Sequence, residues 1–89
     1  MEVEFDAAKS AASKRKHGID FNEATQLWDL PHRIEIPART IDEARFMVIG
    51  TIGERYWSAV ISYRAGKTRI ISVRPSRREE VDLYESEGE

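Results

Sequence analysis

The sequence lacks cysteine altogether and holds only two histidines among its 89 residues. Without cysteine, neither a disulfide framework nor a thiolate metal site is possible. His17 and His32 are too few for a histidine-based zinc site unless several carboxylates join them. We therefore expect no metal and no cofactor, so that any chemistry must come from the side chains alone.

Long apolar runs are also missing. No stretch approaches the roughly 20 apolar residues that span a membrane, and the first residues do not follow the charged-then-apolar order of a signal peptide. We expect one soluble domain over residues 1–89, located in the cytoplasm and without membrane contact. Residues 86–89 are expected to form a frayed tail.

Charge is unevenly distributed along the chain. Nine of the sixteen acidic residues lie within residues 1–6 and 79–89, whereas all fourteen Lys and Arg residues lie between residues 9 and 78. Residues 7–78 therefore carry fourteen cations against seven carboxylates, a net charge of +7. A basic body with acidic ends suits an anionic partner, together with a second partner that binds the acidic tail. Charge alone is equally compatible with arginines that merely solvate a small surface.

Capping signals predict two N-terminal helices. Asp6 precedes an Ala- and Lys-rich helix over residues 7–16, and Gly18 stands where a left-handed residue ends such a helix. Asn22 is expected to cap a second, short helix over 23–28. The alanines that share one side of the first helix are Ala8, Ala11 and Ala12.

Alternating polar and apolar residues predict an antiparallel β-meander. Its strands are expected at 3–5, 33–36, 45–52, 55–63 and 67–73. Pro37 is expected to end the second strand, and residues 38–44 to form a polar connection. A last helix is expected at 77–85, with Ser76 as its N-cap. By strict alternation, Ser72 and Arg74 share one face of the last strand and Arg69 projects from the other. The same alternation puts Ile70 and Val73 on opposite faces. We expect an α+β fold with the N-terminal and C-terminal helices packed on one face of the meander.

Three arginines mark the last predicted strand: Arg64 in the turn before it, Arg69 within it and Arg74 at its exit. Guanidinium groups bind phosphate bidentately and stay charged, so they can stabilise the pentavalent phosphate of RNA cleavage by the 2′-hydroxyl. Glu80 either acts as a base or orients a neighbouring arginine. The competing interpretation is that these residues form ordinary surface ion pairs.

A second candidate site is the end of the first helix. Histidine in general changes its charge near neutral pH, so His17 is a candidate proton-transfer group, while Lys16 can contact a phosphate. Both side chains can equally well cap the last carbonyls of the helix, whose C-terminus attracts cations.

Two segments are specific in their order and separation: Lys16-His17-Gly18-Ile19-x-Phe21-x-Glu23-Ala24 and Arg69-Ile70-Ile71-Ser72-x-Arg74. They are accompanied by Phe5-Asp6-x-x-Lys9, Trp28-Asp29, Glu43-x-Arg45, Ile49-Gly50, Arg64, Arg78, Glu80 and Tyr84. With these residues, spread over most of its length, the chain resembles the BrnT toxins of BrnT/BrnA type II toxin–antitoxin modules.

The resemblance implies a fold similar to RelE and ParE toxins and a metal-independent endoribonuclease that cleaves RNA and inhibits translation. It also implies a BrnA-like ribbon-helix-helix antitoxin, which neutralises the toxin and brings operator DNA into the complex. The catalytic candidates that it implies are Arg64, Arg74, Glu80 and His17, and the RNA-binding candidates are Lys16, Arg69 and Arg78. The alternative is a non-catalytic homologue that serves as antitoxin-binding partner and co-repressor, which the acidic tail favours because it would repel RNA.

Overall fold

The computed structural model describes residues 1–38 and 43–87, which form an α+β arrangement around a five-stranded sheet. The strands are β1 (Val3–Phe5), β2 (Ile34–Ala38), β3 (Arg45–Ile52), β4 (Arg55–Arg64) and β5 (Lys67–Pro75). The helices are α1 (Ala7–His17), α2 (Phe21–Ala24), a 3-10 helix (Thr25–Asp29) and α3 (Arg78–Glu87). Most of the predicted connection at 38–44 and the last two residues of the predicted tail lie outside the described residues. α3 extends to residue 87, two residues beyond the helix predicted at 77–85.

The sheet has the strand order β1-β5-β4-β3-β2. The pairings β2–β3, β3–β4 and β4–β5 are antiparallel, which confirms the predicted meander with its two short hairpin turns. β1 lies parallel to β5 at the edge of the sheet. β2 continues through Pro37 instead of stopping there, which an edge strand tolerates because one side of its backbone needs no partner.

Hydrogen bonds rather than apolar contacts fix α1. Asp6 caps the helix as predicted, and Gly18 ends it with a φ of 83°. The buried residues of α1 are Ser10 and Ser13, whereas the three alanines predicted to share an inner side are exposed. The Ser10 hydroxyl accepts from the backbone N–H of Phe21 at 2.9 Å, and the Ser13 hydroxyl donates to the Ile19 carbonyl at 2.7 Å. These bonds tie α1 to the segment that follows it.

The second helix begins two residues earlier than predicted. Asp20, not Asn22, is its N-cap, since the Asp20 carboxylate accepts from the Glu23 N–H at 2.7 Å. The Glu23 carboxylate in turn accepts from the Asp20 N–H at 3.0 Å, which completes a capping box. Glu23 also accepts from the Lys14 ammonium at 2.7 Å, so α1 and α2 are joined by an ion pair.

The main core lies between the N-terminal helices and one face of the sheet, called here the helix face. Its buried residues are Ile19, Phe21, Ala24, Leu27, Val48, Trp57, Ala59, Ile61, Ile70 and Val73. Gly50 of β3 allows close packing at this face, because a Cβ there would lie 2.7 Å from Leu30 Cδ1 and 3.0 Å from Leu27 Cδ2. Both leucines therefore reach the backbone of β3.

The last helix, α3, packs on the opposite face, called here the arginine face. Tyr84 of α3 meets Tyr56 edge-on with ring centroids 6.0 Å apart, and the Tyr56 hydroxyl donates to the Glu85 carboxylate. Tyr56 alternates with the core residue Trp57 and so projects from the other side of β4. The prediction that all helices pack on one face was therefore wrong.

Candidate active site

A β-bulge in β5 sets the direction of its arginines. The paired residues of β4 and β5 are Ser58–Arg74, Val60–Ser72, Ile61–Ile70 and Ser62–Arg69. The register shift leaves Ile71 as an extra residue, so Arg69, Ser72 and Arg74 all project from the arginine face. The prediction that Arg69 lies opposite Arg74 was wrong, because strict alternation does not foresee a bulge.

The same extra residue changes the apolar side of β5. Ile70 and Val73 are both buried in the main core, with exposed fractions of 2% and 3%. They were predicted on opposite faces, but the bulge brings both to the helix face. The bulge therefore directs Ile70 and Val73 to the core and Arg69 and Arg74 to the other side.

The arginine face carries an ion pair of Arg74 and Glu80. The two terminal nitrogens of Arg74 donate to the two carboxylate oxygens of Glu80, each at 2.7 Å. Glu80 Oε1 also accepts from Ser58 Oγ at 2.9 Å and from the backbone N–H of Arg77 at 2.9 Å. Because Ser58 donates to Glu80, the 2.8 Å contact between Ser58 Oγ and Ser76 Oγ has Ser76 as donor. The carboxylate is thus held by four hydrogen bonds in a fixed orientation.

The N-terminus of α3 explains why Glu80 points into the sheet. The carbonyl of Arg77 accepts from the Val81 N–H at 3.0 Å, so Arg77 occupies the N-cap position. Glu80 is then the third helical residue, from which a carboxylate reaches back to the N-cap N–H. The predicted cap, Ser76, instead uses its hydroxyl in the bond to Ser58.

Electrostatics keep the Glu80 carboxylate ionised. Burial raises the pKa of Glu80, but the hydrogen bonds from Arg74, from the Arg77 N–H and from Ser58 outweigh it and lower the pKa to about 2. The bond to Glu80 raises the pKa of Arg74. Since the carboxylate accepts four bonds and has so low a pKa, it is poorly suited to take a proton near neutral pH. The geometry favours the second of its two predicted roles, the orientation of Arg74.

Arg64 lies at the far end of the arginine face. It is six residues along β4 from Ser58, the partner of Arg74, so the two arginines are about 20 Å apart. The ion pairs at this end are Arg64–Glu43 at 3.8 Å, Arg69–Glu4 at 3.6 Å and Lys67–Glu2 at 4.0 Å. These long contacts between partly exposed side chains leave the cations available to a ligand. The structure thus aligns Arg64, Arg69 and Arg74 without bringing them to one point.

His17 and Lys16 lie elsewhere, at the outer edge of β5. They line a surface cleft of about 370 Å³ between α1 and β5. Six of its lining residues are Lys9, Ala12, Lys16, His17, Ile71 and Val73. Val73 immediately precedes Arg74, but its side chain points to the helix face and that of Arg74 to the arginine face. His17 and Arg74 therefore lie on opposite faces of the sheet near its edge, and they do not face each other across a pocket.

Arg78, the remaining RNA-binding candidate, begins α3. Its guanidinium contacts the Asp82 carboxylate at 3.2 Å, one helical turn away, and its side chain is 88% exposed. Such a pair contributes little to stability. Arg78 is accessible at the same end of the molecule as the buried pair formed by Arg74.

Two serines of β4 belong to this face but were missed as site residues. Ser58 and Ser62 are both 0% exposed. Ser58 Oγ donates a hydrogen bond to Glu80, whereas Ser62 Oγ has no hydrogen-bond partner among the described residues. Ser62 pairs in register with Arg69. The sequence contains a signal for this face, because small hydroxyl residues at alternate positions of an apolar strand indicate packing against polar groups.

Within residues 1–38 and 43–87, no group of three or more His, Cys, Asp or Glu side chains is arranged to hold a metal ion. Among these same residues, none of the helices combines the length and the apolar character that crossing a membrane requires.

Comparison with protein families gives one match over most of the chain. The model of a family described as "Ribonuclease toxin, BrnT, of type II toxin-antitoxin system" matches residues 5–80. This range begins at the last residue of β1 and ends at Glu80, so it includes β2 to β5 and the ion pair on the arginine face. Among curated proteins, no match is found.

Proposed function

The chain belongs to the BrnT family of ribonuclease toxins of type II toxin–antitoxin systems, and from this premise we propose that it is a metal-independent endoribonuclease that inhibits translation. Membership of this family implies an antitoxin partner. We propose that this partner is a BrnA-like ribbon-helix-helix protein that also brings operator DNA into the complex, and that the toxin acts in the cytoplasm. The α+β architecture is consistent with a variant of the RelE/ParE-like toxin fold.

The observation that carries the proposal is the fixed guanidinium of Arg74. Its side chain is 24% exposed and is held by two 2.7 Å bonds to a carboxylate that is itself buried. An arginine fixed before the substrate arrives can stabilise developing negative charge without reorganising. Nothing in an ordinary surface ion pair requires a buried carboxylate with two further donors around it.

The proposed reaction is cleavage of an RNA phosphodiester by its own 2′-hydroxyl. The 2′-oxygen bonds to phosphorus as it loses its proton, and the bond from phosphorus to the 5′-oxygen breaks as that oxygen gains one. The products are a 2′,3′-cyclic phosphate and a 5′-hydroxyl end. The pentavalent phosphate carries extra negative charge, which Arg74 stabilises through the N–H groups that Glu80 and the Pro75 carbonyl leave free.

Glu80 and His17 have different roles in this proposal. Glu80 is a positioning residue, because its carboxylate is saturated with hydrogen bonds and has a pKa of about 2. His17, at the edge of β5 beside Val73, is the proposed group that transfers protons.

The remaining cations bind the RNA backbone. Arg69 and Arg64 follow Arg74 along the arginine face and can hold successive phosphates of one strand. With Arg64 about 20 Å from Arg74, a single strand of several nucleotides would span the face. Lys16 and Arg78 flank the reactive end, one on α1 and the other on α3.

The experiment that tests this proposal measures cleavage of a labelled RNA by the purified toxin, with and without EDTA. We expect equal rates in both conditions. Arg74→Lys should cleave at least about 100-fold more slowly, because a lysine keeps the charge but lacks the planar pair of donors. Arg55→Lys is the matched control, since Arg55 lies in β4 on the helix face, 4.9 Å over the Trp57 ring.

Three results would contradict the proposal. Inactivation by EDTA would show that a metal is required. Cleavage at the wild-type rate by Arg74→Lys would remove Arg74 from the reaction. A product with a 5′-phosphate end would exclude attack by the 2′-hydroxyl.

A second function, that of a non-catalytic antitoxin partner and co-repressor, is favoured by one observation. After Arg78 the described part of α3 carries only acidic charges, and Glu79, Asp82 and Glu85 are exposed beside the proposed RNA-binding face. This function predicts no cleavage by the purified protein, together with tighter operator binding by the antitoxin in its presence. An electrophoretic mobility shift assay on operator DNA, run beside the cleavage assay, distinguishes the two.

A further inference from the structure

The surface cleft between α1 and β5 has an apolar floor. Phe21 and Val73, both buried, line it from below, and the exposed Ala12 and the half-buried Ile71 line it from α1 and β5. Its volume of about 370 Å³ is within the range of pockets that hold small ligands, about 300–1,000 Å³. The cleft is therefore large enough for a flat, largely apolar group.

Three residues of α1 form a row along the cleft. Lys9, Ala12 and Lys16 are separated by three and four residues, so they share one side of the helix, and all three line the cleft. Seven residues correspond to about 10 Å along the helix axis. Ala12 has the smallest side chain of the three and lies between the two lysines. The cleft thus has room at its centre and a cation toward each end.

The charge around the cleft has one sign. His17 lines it together with the two lysines, and no carboxylate within residues 1–38 and 43–87 does so. Neither Lys9 nor Lys16 forms an ion pair in this part of the chain. Proteins hold single-stranded nucleic acid with the same combination, an apolar or aromatic surface for a base and cations for the phosphates.

The cleft meets the arginine face at Ser72. This residue is exposed, lines the cleft and projects from the same face of β5 as Arg74, two residues further along. Its hydroxyl can donate to or accept from a ribose or the edge of a base. An RNA strand that passes Arg74 can therefore continue past Ser72, around the edge of the sheet, to His17 and the cleft.

We propose that this cleft holds one nucleotide of the RNA next to the cleaved bond, with its base between Ala12 and Ile71 and its neighbouring phosphates on Lys9 and Lys16. The proposal rests on the proposed function for the identity of the ligand as RNA. It adds a base-binding site to the phosphate contacts of the arginine face. It also makes Lys9 a residue that contacts the RNA backbone.

A nucleotide fits the cleft better than a protein segment does. Val73 is only 3% exposed, so β5 presents no free backbone there with which an additional strand could pair. The side chains therefore decide the occupant, and they place an apolar centre between two cations. A base with a phosphate on either side has its groups in the same order.

The test compares two labelled strands by fluorescence anisotropy with the full-length toxin. One is a 2′-fluoro RNA hexanucleotide of mixed sequence, which cannot be cleaved because it lacks the attacking hydroxyl, and the other is the same backbone with abasic spacers. The wild type should bind the first strand at least tenfold more tightly, because base contacts contribute about 1–3 kcal/mol each.

Ala12→Leu fills the cleft from an exposed position without adding an aromatic ring on which a base could stack. It should weaken binding of the base-containing strand at least fivefold and change binding of the abasic strand less than twofold. Ala11→Leu is the matched control, because Ala11 is the neighbouring exposed alanine of α1 and lines a different groove. It should bind both strands within twofold of the wild type.

A charge-removal pair provides a second, independent measurement. Lys9→Gln should weaken binding of both strands alike, because a phosphate contact does not depend on the base. The slope of log K against log salt should decrease by about 0.7, the value for one phosphate of a single strand. Arg15→Gln, also on α1 but outside the cleft, should leave the slope unchanged.

Methyl NMR locates the bound base. The Ile71 methyl signals should shift on addition of the base-containing strand and stay in place with the abasic strand. Unmoved Ile71 methyls, or wild-type affinity of Ala12→Leu for the base-containing strand, would overturn the proposal. So would weaker binding of the purified cognate antitoxin by Ala12→Leu with RNA binding intact, because the cleft would then belong to a protein partner.

Failure of this inference can be distinguished from failure of the proposed function. A toxin that cleaves RNA but binds both strands equally well keeps its proposed function and lacks the base-binding site. A toxin that cleaves no RNA, yet loses base-dependent binding in Ala12→Leu, has the site and not the proposed activity.

Discussion

Arg74 and Arg64 lie on the same face of the sheet, near opposite ends of the β4–β5 hairpin. The Arg74 side chain is 24% exposed and is joined by two 2.7 Å bonds to the buried carboxylate of Glu80. The Arg64 side chain is 65% exposed and lies 3.8 Å from Glu43. One arginine is therefore fixed by folding, whereas the other keeps most of its conformational freedom.

This difference shows how one residue type can serve two purposes on one surface. A fixed guanidinium loses its rotamer freedom when the protein folds, so little is lost when a phosphate reaches it. An exposed guanidinium adapts to the position of a phosphate but contributes mainly through its charge. We infer that the Arg74 end is built for a defined geometry and the Arg64 end for general attraction of an anionic chain.

The largest effect should come from removing the carboxylate that fixes Arg74. Glu80→Ala leaves a partly buried guanidinium, the Ser58 hydroxyl and the Arg77 N–H without their partner. We expect the free energy of unfolding to fall by about 2–4 kcal/mol, somewhat less than for a fully buried pair because Arg74 retains some contact with water. Urea denaturation followed by tryptophan fluorescence measures the change.

Glu79→Ala is the matched control for this prediction. Glu79 is the adjacent carboxylate in the first turn of α3, but it is exposed. Its removal should change the free energy of unfolding by less than about 0.5 kcal/mol. Equal effects of the two substitutions would mean that the carboxylate of Glu80 is not specially held.

Acid should weaken the same ion pair in a defined pH range. The folded-state pKa of Glu80, about 2, lies below the ordinary glutamate value of 4.5, so its contribution to stability is fully present above about pH 4.5. That contribution should be lost as the pH falls from there toward 2. The measurement compares the free energies of unfolding of the wild type and Glu80→Gln at several pH values.

This comparison isolates Glu80 from other carboxylates. The pKa values of Asp6 and Glu23 are also lowered, by backbone hydrogen bonds at the N-terminus of α1 and by the bond from Lys14 respectively. Both groups are present in the two proteins and cancel in the difference. A stability difference that stays constant from pH 7 to pH 3 would contradict the assignment.

The smallest effect on stability is expected at Arg64. Arg64→Ala should change the free energy of unfolding by less than about 0.5 kcal/mol, because the contact with Glu43 is long and exposed. Its effect should appear in RNA binding instead: the slope of log K against log salt should decrease by about 0.7, the value for one phosphate of a single strand. Fluorescence anisotropy of a labelled oligonucleotide measures this slope, with Arg55→Ala as control. An unchanged slope would exclude contact between Arg64 and the RNA backbone.

Elements with local signals could be predicted from the sequence. The Asp6 cap and the left-handed Gly18 define α1 within one residue, because both act through neighbouring backbone groups. The two hairpins follow from short turns between alternating strands. The strand faces of β4 were also predicted, since the extra residue of the bulge lies in β5 and β4 keeps its alternation.

What escaped prediction depends on partners far away in the chain. The bulge at Ile71 results from fitting β5 against β4 on one side and β1 on the other, and no local pattern marks it. The position of α3 depends on the pair formed by Arg74 and Glu80, six residues apart, and on Ser58 in another strand. The resemblance of the sequence to BrnT toxins identified the arginines as site candidates, but it could not tell which of them is fixed.

The pairing of β1 with β5 has a consequence for how the protein is made. Val3 to Phe5 pair with Thr68 to Ile70, so β1 cannot be paired until β5 has been synthesised. α3, which supplies Glu80, is synthesised later still. On a translating ribosome the arginine of the proposed site therefore stays unfixed until Glu80 has emerged. A growing chain would lack the geometry proposed for RNA cleavage until α3 has folded onto the sheet.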